Sequence, residues 1–467
     1  MTTALASAPA VLPPRWYPLR PVPQQLAYAA SPHRFNVVPA GRRSGKTERA
    51  KRRLVRCALT LAGVTHTDAP RYFAAAPTRD QAKRIWWADL KAMTRPWWAR
   101  APVETELVIQ VVTGAELVVV GMDKPERIEG SPWDGGVLDE YANMKPTAWS
   151  QNVRPALSDR NGWCDLIGVP EGRNHYYDAY TTALAEMQTK GTASEWGAFT
   201  WHSAAVLSPE EIAAARGDLD ALVFAQEYEA SFVNFVGRAY YAFTDANKAA
   251  LRGRYDPRQP LIICLDFNVA PGVAVIAQEL PLPVPGATKD APKIGTAVIG
   301  EVWIENNSNT PAVCRRLLLD WKDHRGRVDV YGDTTGGLPG TAKLAGSDWD
   351  IAEQDLRTGF AAEGISGFGA RVAFYVKTAS PAERARVNAV NSRLSAADGT
   401  IRLMADPAAA PHLVKDLEGV RTLKGGSGEI DKKHDKMLTH PSDALGYYID
   451  YRFPVAPAIW TPVRVTW

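Results

Sequence analysis

The feature that most constrains the fold of this chain is a strand-like run that leads directly into a small-residue loop and then into a helical pattern. The run is 35–39 (FNVVP) and the loop is 41–47 (GRRSGKT). A loop of this composition lets backbone N–H groups surround a β-phosphate, while Lys46 adds a point charge and Thr47 offers its hydroxyl to Mg²⁺. The order of strand, loop and helix predicts a nucleotide site, although Ala40 stands where the usual pattern has its first glycine.

A pair of acids at the end of a later apolar run supplies the second half of such a site. In GGVLDEYAN, Asp139 and Glu140 come roughly 90 residues after Lys46. A carboxylate at Asp139 can partner Mg²⁺, and Glu140 can orient or deprotonate the water that attacks a γ-phosphate. A lone Asp–Glu pair is common on protein surfaces, so it is the position after the phosphate loop that favours catalysis and the ATP-hydrolysing class.

Two weaker signals accompany the loop. Charge that develops on a γ-phosphate attracts an arginine, and we predict that Arg42 has this role, the alternative being that Arg42 and Arg43 face solvent or DNA. Gln25 precedes the first strand, a place from which its amide can pair with the adenine edge. The predicted nucleotide-binding residues are Gln25, Gly41, Arg42, Arg43, Ser44, Gly45, Lys46, Thr47 and Asp139, with Thr47 and Asp139 on the metal.

The length and composition of the chain allow a large hydrophobic core but do not identify a binding partner. A chain of 467 residues should form two or three domains, because single cores stop growing beyond roughly 250 to 300 residues. The net charge is only +3, so any nucleic-acid surface must be local.

The four cysteines form no C-x-x-C pair, which argues against a zinc site or a disulfide framework. No run reaches the roughly 20 apolar residues of a membrane helix, and we expect a soluble cytoplasmic protein.

From Leu261 the pattern restarts with three strand-like runs, a helical run and a fourth strand. Asp266 and Asp333 end the first and fourth strands, and Asp443 lies near the start of the helical run HPSDALGYYIDY. This is the element order of a ribonuclease-H-like fold. Three carboxylates gathered by one sheet can hold two Mg²⁺ or Mn²⁺ ions about 3.5 to 4 Å apart and activate water for phosphodiester cleavage.

The segment before Asp443 offers competing ligands, His434 and Asp435. We prefer Asp443 because its helix can lie against the sheet, whereas the glycine-rich GGSGEIDKKHDK reads as a loop. The lysines of this segment are candidates for contact with a DNA backbone, the alternative being a solvated charge run. They are Lys432, Lys433 and Lys436.

The predicted fold class is therefore α/β with two domains. After a mobile segment at 1–15, a P-loop NTPase domain with an ASCE-type parallel sheet is predicted at 16–237. A linker at 238–258 leads to a ribonuclease-H-like nuclease domain at 259–467.

With both sites in one chain, the sequence resembles the large terminase subunit of tailed bacteriophages. The resemblance rests on the order of its motifs, since no single one is decisive. The motifs are GRRSGKT, APTRDQAKRIWW, VLDEYAN, GVPEGRNHYY, QEYEASF, LDFN, YGDTTG and HPSDALGYY. The departures are the altered first loop glycine and a turn at 168–172 without a hydroxyl residue, which is where the resemblance implies a turn that couples hydrolysis to movement.

The resemblance implies a DNA-packaging motor that hydrolyses ATP with Mg²⁺ and cuts DNA with Mg²⁺ or Mn²⁺. The catalytic residues that it implies are Arg42, Glu140, Asp266, Asp333 and Asp443, the last three as metal ligands. The implied partners are double-stranded DNA, a portal protein and a small terminase subunit. The implied assembly is a ring of subunits on the procapsid in the host cytoplasm. A monomeric state of the isolated chain is an alternative left open.

Two readings from other classes remain. A helicase-like or transposition-associated DNA-dependent ATPase would explain the first half and leave the three later acids without a role. A non-catalytic capsid or portal-associated scaffold would make both sets of acids structural. Metal-dependent DNA cleavage and ATP hydrolysis separate these readings from the first.

Overall fold

The structure is a computed structural model of the chain. It describes residues 16, 19, 21–233, 237–267, 270–288, 291–334, 347–423, 429–432 and 437–455, and the predicted mobile segment 1–15 lies outside them. The described residues form two compact units. One contains those of Met1–Ile212 and Ala225–Asn234, and the other contains those of Ala213–Phe224 and Phe235–Trp467.

The first unit is built on a seven-stranded sheet in the order β3-β4-β2-β5-β6-β1-β7, and only the edge pair β3 and β4 is antiparallel. β6 stands between β1, which leads into the phosphate loop, and β5, which ends at Asp139. This confirms the ASCE-type sheet. The strands are β1 (Phe35–Pro39), β2 (Arg71–Ala76), β3 (Val108–Gln110), β4 (Glu116–Gly121), β5 (Gly135–Asp139), β6 (Trp163–Gly168) and β7 (Trp196–Ala198).

Helices cover both faces of this sheet, as the apolar runs predict for buried parallel strands. Along β1 the faces alternate, with Phe35 and Val37 in one apolar cluster and Val38 in the other. The helices are α1 (Pro23–Ala29), α2 (Lys46–Thr60), α3 (Arg79–Ala82), α4 (Ala88–Thr94), α5 (Arg154–Ala156), α6 (His175–Lys190), α7 (Pro209–Asp218) and α8 (Ala221–Glu227). A π-helical turn, Lys83–Trp87, joins α3 to α4.

The stretch 208–232, which the sequence pattern predicts to be helical throughout, is divided into α7 and α8. Asp220 separates them, because its Oδ1 accepts hydrogen bonds from Leu222 N and Val223 N, both at 3.0 Å. An aspartate in this position starts a new helix instead of continuing the old one. The last part of α7 and the first part of α8 belong to the second unit, whereas the end of α8 belongs to the first.

A buried ion pair ties four elements of the first unit together. Asp165 in β6 is fully buried, and its Oδ1 accepts from Arg53 Nη1 of α2 at 2.6 Å and from Asn36 Nδ2 of β1 at 2.8 Å. Its Oδ2 accepts from the Tyr28 hydroxyl of α1 at 2.6 Å. A carboxylate inside a core is tolerated only when its partners satisfy it in this way.

The second unit contains a six-stranded sheet in the order β14-β11-β8-β9-β10-β15. β8, β9 and β10 form an antiparallel meander, and β11 lies parallel to β8 on its other side. This is the predicted ribonuclease-H-like order. The strands are β8 (Leu261–Asp266), β9 (Gly272–Pro281), β10 (Ile294–Ile304), β11 (Val328–Gly332), β12 (Gly359–Phe360), β13 (Ile365–Ser366), β14 (Val372–Tyr375) and β15 (Leu403–Ala405), of which β12 and β13 form a separate pair.

Helices cover the two faces of the second sheet. Leu445 and Ile449 of α13 share one apolar cluster with Ile262 of β8, and Leu317 of α9 shares the other with Ile263. The helices are α9 (Thr310–Asp320), α10 (Asp348–Thr358), α11 (Glu383–Leu394), α12 (Pro411–Gly419) and α13 (His440–Arg452).

The residues predicted to form a linker, 238–258, lie within the second unit. Tyr240 and Phe243 are buried in its core, and Leu251 is buried on its other side. They are therefore an integral part of this unit, because aromatic side chains in the core cannot belong to an open connection. The functional boundaries of the two domains stay a prediction.

Within the described residues, no helix combines the length and the apolar character that crossing a bilayer requires.

We expect Asp165→Ala to destabilise the first unit by about 3 to 5 kcal/mol, because it leaves the Arg53 guanidinium buried without its carboxylate. The double variant Arg53→Met/Asp165→Leu removes both charges and should recover part of the loss, because Asn36 and Tyr28 still lack the carboxylate that accepts their hydrogen bonds. The measurement is the unfolding transition of each full-length variant in differential scanning calorimetry. A double variant no more stable than Asp165→Ala would mean that the pair is not what holds these elements.

Candidate nucleotide and nuclease sites

The phosphate loop joins β1 to α2 and is fixed by hydrogen bonds from several sides. Ala40 N donates to Gly168 O and Gly41 N donates to Trp201 O, each at 3.0 Å. Trp201 Nε1 in turn donates to Ser44 O at 3.0 Å. The backbone path of the loop is therefore held by the protein itself, as a preorganised anion site requires.

The glycine of the loop stands at position 41, one residue later than in the usual pattern, and the reason is steric. A Cβ at Gly41 would collide with Ser203 Oγ and would come within 2.6 Å of the Tyr228 carbonyl oxygen. Ser203 Oγ donates to Arg42 O at 2.7 Å, so the close approach is part of a hydrogen-bonded contact. The glycine is thus placed at 41 because Ser203 reaches the loop at that position.

The predicted metal partners of the nucleotide site are in contact. Thr47 at the start of α2 donates its Oγ1 hydrogen bond to Asp139 Oδ2 at 2.9 Å. Asp139 is only 1% exposed. Burial and then the charge of Glu140 raise the pKa of Asp139 to about 6, while Lys46 and Thr47 oppose the shift. A carboxylate whose charge is this costly is well suited to receive a cation.

The rest of the loop fits a phosphate. Lys46 is buried, and its ammonium lies near enough to Asp139 to lower that pKa. The hydroxyl of Ser44 is fully buried and makes no hydrogen bond within the described part of the chain. A buried donor in a phosphate loop is accounted for when an anion accepts from it. The donor set therefore suits a nucleotide with Mg²⁺.

Arg42 is held by a residue that the sequence does not identify. Its Nε forms an ion pair with Glu227 Oε2 at the end of α8, and its backbone N donates to Glu227 O at 2.6 Å. Burial alone would lower the pKa of Arg42, but the carboxylates of Glu227 and Glu140 outweigh it and raise that pKa above its ordinary value. The guanidinium thus lies in the field of the predicted catalytic base.

Glu140 follows β5 in the left-handed backbone region, with φ of 55°. Its N–H donates to Asp139 Oδ1 at 3.0 Å. A non-glycine residue in this region is strained, and such strain concentrates at functional sites. The backbone thus leaves the extended conformation of β5 at Glu140, while the charge of Glu140 still acts on Asp139.

Gln25 lies against the phosphate loop. Its Nε2 donates to Ser44 O at 2.7 Å, and its Oε1 accepts from Arg49 Nη2 at 3.3 Å. The amide is therefore engaged by the loop and by α2 in this conformation. Recognition of adenine by Gln25 stays a prediction.

The turn at 168–172 lies beside the catalytic residues. A Cβ at Gly168 would stand 3.4 Å from the Glu140 Cα, and Gly172 N donates to Gln226 Oε1 at 3.1 Å. This turn thus connects the Glu140 region to α8, which also carries the partner of Arg42. Its coupling role stays a prediction.

In the second unit, the three predicted nuclease acids lie around one tyrosine. Burial raises the pKa of Tyr447, and the carboxylates of Asp443, Asp333 and Asp266 raise it further against the charge of Arg386. Asp266 ends β8, Asp333 follows β11 and Asp443 lies in the first turn of α13. The sheet and α13 thus place all three carboxylates within electrostatic range of Tyr447, and their joint role stays a prediction.

Asp443 has two cationic partners. Its Oδ1 accepts from Arg386 Nη2 at 2.6 Å, and its Oδ2 lies 3.2 Å from Lys432 Nζ. Burial raises the pKa of Asp443, Arg386 and Lys432 oppose the shift, and Asp266 adds to it. The effect of Asp266 shows that the two carboxylates are close enough to repel each other.

His440 and Asp416 complete this site. His440 Nδ1 lies 2.9 Å from Asp266 Oδ2. Asp416 Oδ2 accepts from Ser442 N at 3.1 Å near the start of α13, and burial raises the pKa of Asp416 to about 7. These contacts fix the first turn of α13, which carries Asp443, relative to β8.

The donor set suits a divalent metal in its chemistry. Carboxylate oxygens are the ligands that Mg²⁺ and Mn²⁺ prefer, and the Lys432 ammonium stands where a cation is attracted. In this conformation, no three donor side chains of the described residues stand close enough to one another to surround an ion. The metal ligands stay a prediction, and the alternatives His434 and Asp435 lie outside the described residues.

Comparison with known proteins agrees with this architecture. The large terminase subunit of Thermus virus P23-45 is 28% identical over 177 residues, which is 33% of this chain and 35% of the relative. That of Thermus phage G20c is 27% identical over 175 residues, with the same coverage. The matched segment thus spans about a third of these curated relatives. No protein-family model matches the chain.

Solved structures extend the likeness to both units. The large terminase of a thermophilic bacteriophage, in complex with ADP, superposes with a TM-score of 0.55 at 14% identity, over 92% of this chain and 98% of that one. Another crystal form of the same phage protein gives 0.54 at 13% identity. This chain has the fold of a bacteriophage large terminase. The resemblance inferred from the motif order is confirmed at the level of fold.

Several site residues could not be identified from the sequence. Glu227, Arg386 and Glu383 are single charged residues in helical runs, and nothing local marks them. For Glu227 a weak signal exists, because it lies in QEYEASF, one of the motifs that carry the resemblance. The others become visible only through their partners in space.

We expect Asp139→Asn to stabilise the nucleotide-free protein by about 2 kcal/mol at pH 7.5. The raised pKa of about 6 means that the folded chain holds this proton more tightly than the unfolded chain. The penalty of ionised Asp139 is therefore fully present above that pKa and is relieved as the pH falls toward about 4. The stability gained by Asp139→Asn should accordingly decrease as the pH falls through this range.

The measurement is the thermal unfolding midpoint of wild type and variant at pH 7.5 and at acid pH, with and without ATP and Mg²⁺. The variant should lose the stabilisation that ATP and Mg²⁺ give the wild type. Equal midpoints without nucleotide at pH 7.5 would contradict the cost of the buried charge.

Proposed function

We propose that this chain is the motor of a viral DNA-packaging machine, which hydrolyses ATP to translocate double-stranded DNA into a procapsid and cuts that DNA by metal-dependent phosphodiester hydrolysis. One observation carries the proposal. Each compact unit has its own acids, with Asp139 hydrogen-bonded to Thr47 at the end of the phosphate loop in one, and in the other Asp266 in contact with His440 of the helical turn that carries Asp443. A single chain with both sites has the means for two separate hydrolytic reactions.

In the first unit, the loop would bind the phosphates and Thr47 with Asp139 would hold Mg²⁺. The metal supplies charge neutralisation on the phosphate oxygens. Lys46 lies beside Asp139 and would add a second positive charge. The fixed loop backbone orients the nucleotide, so that little of the chain has to move before the reaction.

Glu140 would accept the proton of the attacking water. Its carboxylate lies in the field of the Arg42 guanidinium, and its backbone at the end of β5 is in the left-handed region. Arg42 is bound to Glu227 in this conformation. To stabilise charge on the γ-phosphate, Arg42 would exchange that carboxylate for the nucleotide.

In the second unit, Asp266, Asp333 and Asp443 would hold Mg²⁺ or Mn²⁺, which activates water and stabilises the leaving oxygen. Arg386 fixes Asp443 Oδ1, and His440 contacts Asp266 Oδ2. These two residues orient the ligand oxygens. The double-stranded DNA substrate would be held through its phosphates, because a motor that passes over every base pair can use only what all base pairs share.

The remaining parts of the proposal concern assembly. We propose a homo-oligomeric ring docked on the portal protein of a procapsid in the host cytoplasm, with a small terminase subunit that selects viral DNA. The support is the likeness to phage large terminases in both sequence and fold. A phage packaging role implies DNA and packaging partners in general, and the specific partners are part of the proposal.

We expect Glu140→Gln to lower ATP turnover by at least about 100-fold while ATP binding persists, because the amide keeps the shape but cannot accept a proton. Lys46→Ala should instead weaken ATP binding by about 10-fold or more, because it removes a charged contact with the phosphates. The measurements are steady-state phosphate release and nucleotide affinity by calorimetry. The exposed Glu106→Gln is the matched control. Near-normal turnover in Glu140→Gln would exclude it as the base.

We expect Asp266→Asn to abolish Mn²⁺-dependent cleavage of plasmid DNA while ATP hydrolysis persists, because an amide cannot supply the anionic ligand that a divalent metal needs. Asp443→Asn should behave alike, and Asp323→Asn, an exposed acid of the same unit, should cleave normally. Cleavage is followed by gel electrophoresis with the purified chain. Cleavage that survives in both variants would show that other carboxylates act. Failure of the wild type to cut would favour the helicase-like ATPase.

A further inference from the structure

The cation position beside the nuclease acids is filled by an amine of this chain. Lys432 Nζ lies 3.2 Å from Asp443 Oδ2 and 3.2 Å from Glu383 Oε2. Its side chain is nevertheless 51% exposed. The ammonium thus stands between two carboxylates at the edge of the site, in the place to which a divalent cation is drawn.

The other oxygen of Asp443 is engaged by a buried cation. Arg386 donates to Asp443 Oδ1, and Arg386 is only 4% exposed. Its guanidinium lies 4.5 Å from the centre of the Tyr447 ring. Gly446 leaves the space through which Arg386 passes, since a Cβ there would approach the Arg386 Cγ at 2.7 Å. Arg386 thus engages Oδ1 from the buried side of the carboxylate, whereas Oδ2 contacts the half-exposed Lys432.

Lys432 is brought to Oδ2 by an anchored segment. Glu383 of α11 accepts a hydrogen bond from Ile430 N at 2.6 Å with its Oε1. Ile430 is buried and forms an antiparallel bridge with Thr422. The backbone up to Lys432 is therefore fixed, whereas the half-exposed lysine side chain can leave. Lys433 and Lys436 lie outside the described residues.

We propose that Lys432 is a built-in competitor of the divalent metal at Asp443, which restrains the nuclease until metal displaces its ammonium. The inference rests on the proposed nuclease function and adds its regulation. A divalent metal at Asp443 Oδ2 would repel an ammonium that lies 3.2 Å from the same oxygen, and this repulsion is of the same order as the attraction of each cation to the carboxylate. Metal binding would therefore displace Lys432, and the energy of its ion pairs is subtracted from metal affinity.

This assigns Lys432 a role different from the DNA contact that the sequence pattern indicates. A lysine that only held phosphates would weaken DNA binding when removed and would leave metal affinity unchanged. A competitor of the metal would raise metal affinity when removed. The two roles are thus separated by a measurement made without DNA.

The test is the affinity of the full-length chain for Mn²⁺ alone, measured without DNA by calorimetry and by the electron paramagnetic resonance of free Mn²⁺. Lys432→Met removes the charge and keeps the length of the side chain. We expect it to bind Mn²⁺ about tenfold more tightly than the wild type, since one displaceable charge is removed from a half-exposed site. Lys432→Arg keeps the charge and should bind Mn²⁺ no more tightly than the wild type. Lys322→Met, an exposed lysine of the same unit, should not differ from it either.

The outcomes separate this inference from the function on which it rests. Wild-type Mn²⁺ binding that Asp443→Asn removes, together with unchanged or weaker binding in Lys432→Met, would overturn the competitor role and leave the nuclease proposal standing. Absence of Mn²⁺ binding by the wild type at millimolar concentration, with none in Lys432→Met, would overturn both. Tighter binding in Lys432→Met, accompanied by cleavage at a lower Mn²⁺ concentration, would support the inference.

Discussion

The charge of buried carboxylates is the constraint on which both sites depend. A carboxylate removed from water costs several kcal/mol unless a cation or a set of donors compensates it. Asp139 and Asp443 are both buried, and burial raises the pKa of each. In each site the compensation comes from side chains of other elements, namely Lys46 and Thr47 of α2 for Asp139, and Arg386 and Lys432 for Asp443. The elements that carry these side chains therefore have to lie next to the acids.

Asp165 is an example of a buried carboxylate with a purely structural role. It is more deeply buried than Asp443, but its oxygens are satisfied by Arg53, Asn36 and Tyr28 from three surrounding elements. No oxygen remains for a ligand. The predicted metal ligands Asp139 and Asp443 differ in that the charge of another acid adds repulsion in each case, Glu140 for Asp139 and Asp266 for Asp443. That residual unfavourable charge is what makes them suitable for a metal.

The sequence predicts the strands well, because the signals for them are local. The order of strand, loop and helix at 35–60 and the meander that begins at Leu261 both depend on patterns a few residues long, and both sheets have the predicted order. Local patterns do not show where a segment lies in the fold. Residues 238–258 have the composition of a connection, yet Tyr240 and Phe243 fill the core of the second unit. The division of the predicted helix at Asp220 likewise depends on a side chain that caps the next helix.

The partners of the site residues could not be predicted from the sequence for a different reason. Glu227 is 185 residues from Arg42 and Arg386 is 57 residues from Asp443. A charged residue in a helix has many possible partners, and only the tertiary fold chooses among them. Spacing can therefore identify an acid cluster, but it cannot say which cation neutralises it. The same limit explains why the glycine-flanked Lys432 reads as a DNA contact in the sequence and as a partner of Asp443 in the structure.

The two cations on Asp443 differ in chemical type, and the difference matches their surroundings. Arg386 is nearly fully buried, lies over the Tyr447 ring and donates to one carboxylate oxygen. A planar guanidinium is weakly hydrated and stacks on aromatic faces, so it suits a permanent pair inside the protein. Lys432 is half exposed, and its ammonium is compact, strongly hydrated and carried on a flexible stem. Water can take over its hydrogen bonds as soon as it leaves Asp443. The buried position thus carries the arginine, and the position that we propose for a metal carries the cation that is easier to displace.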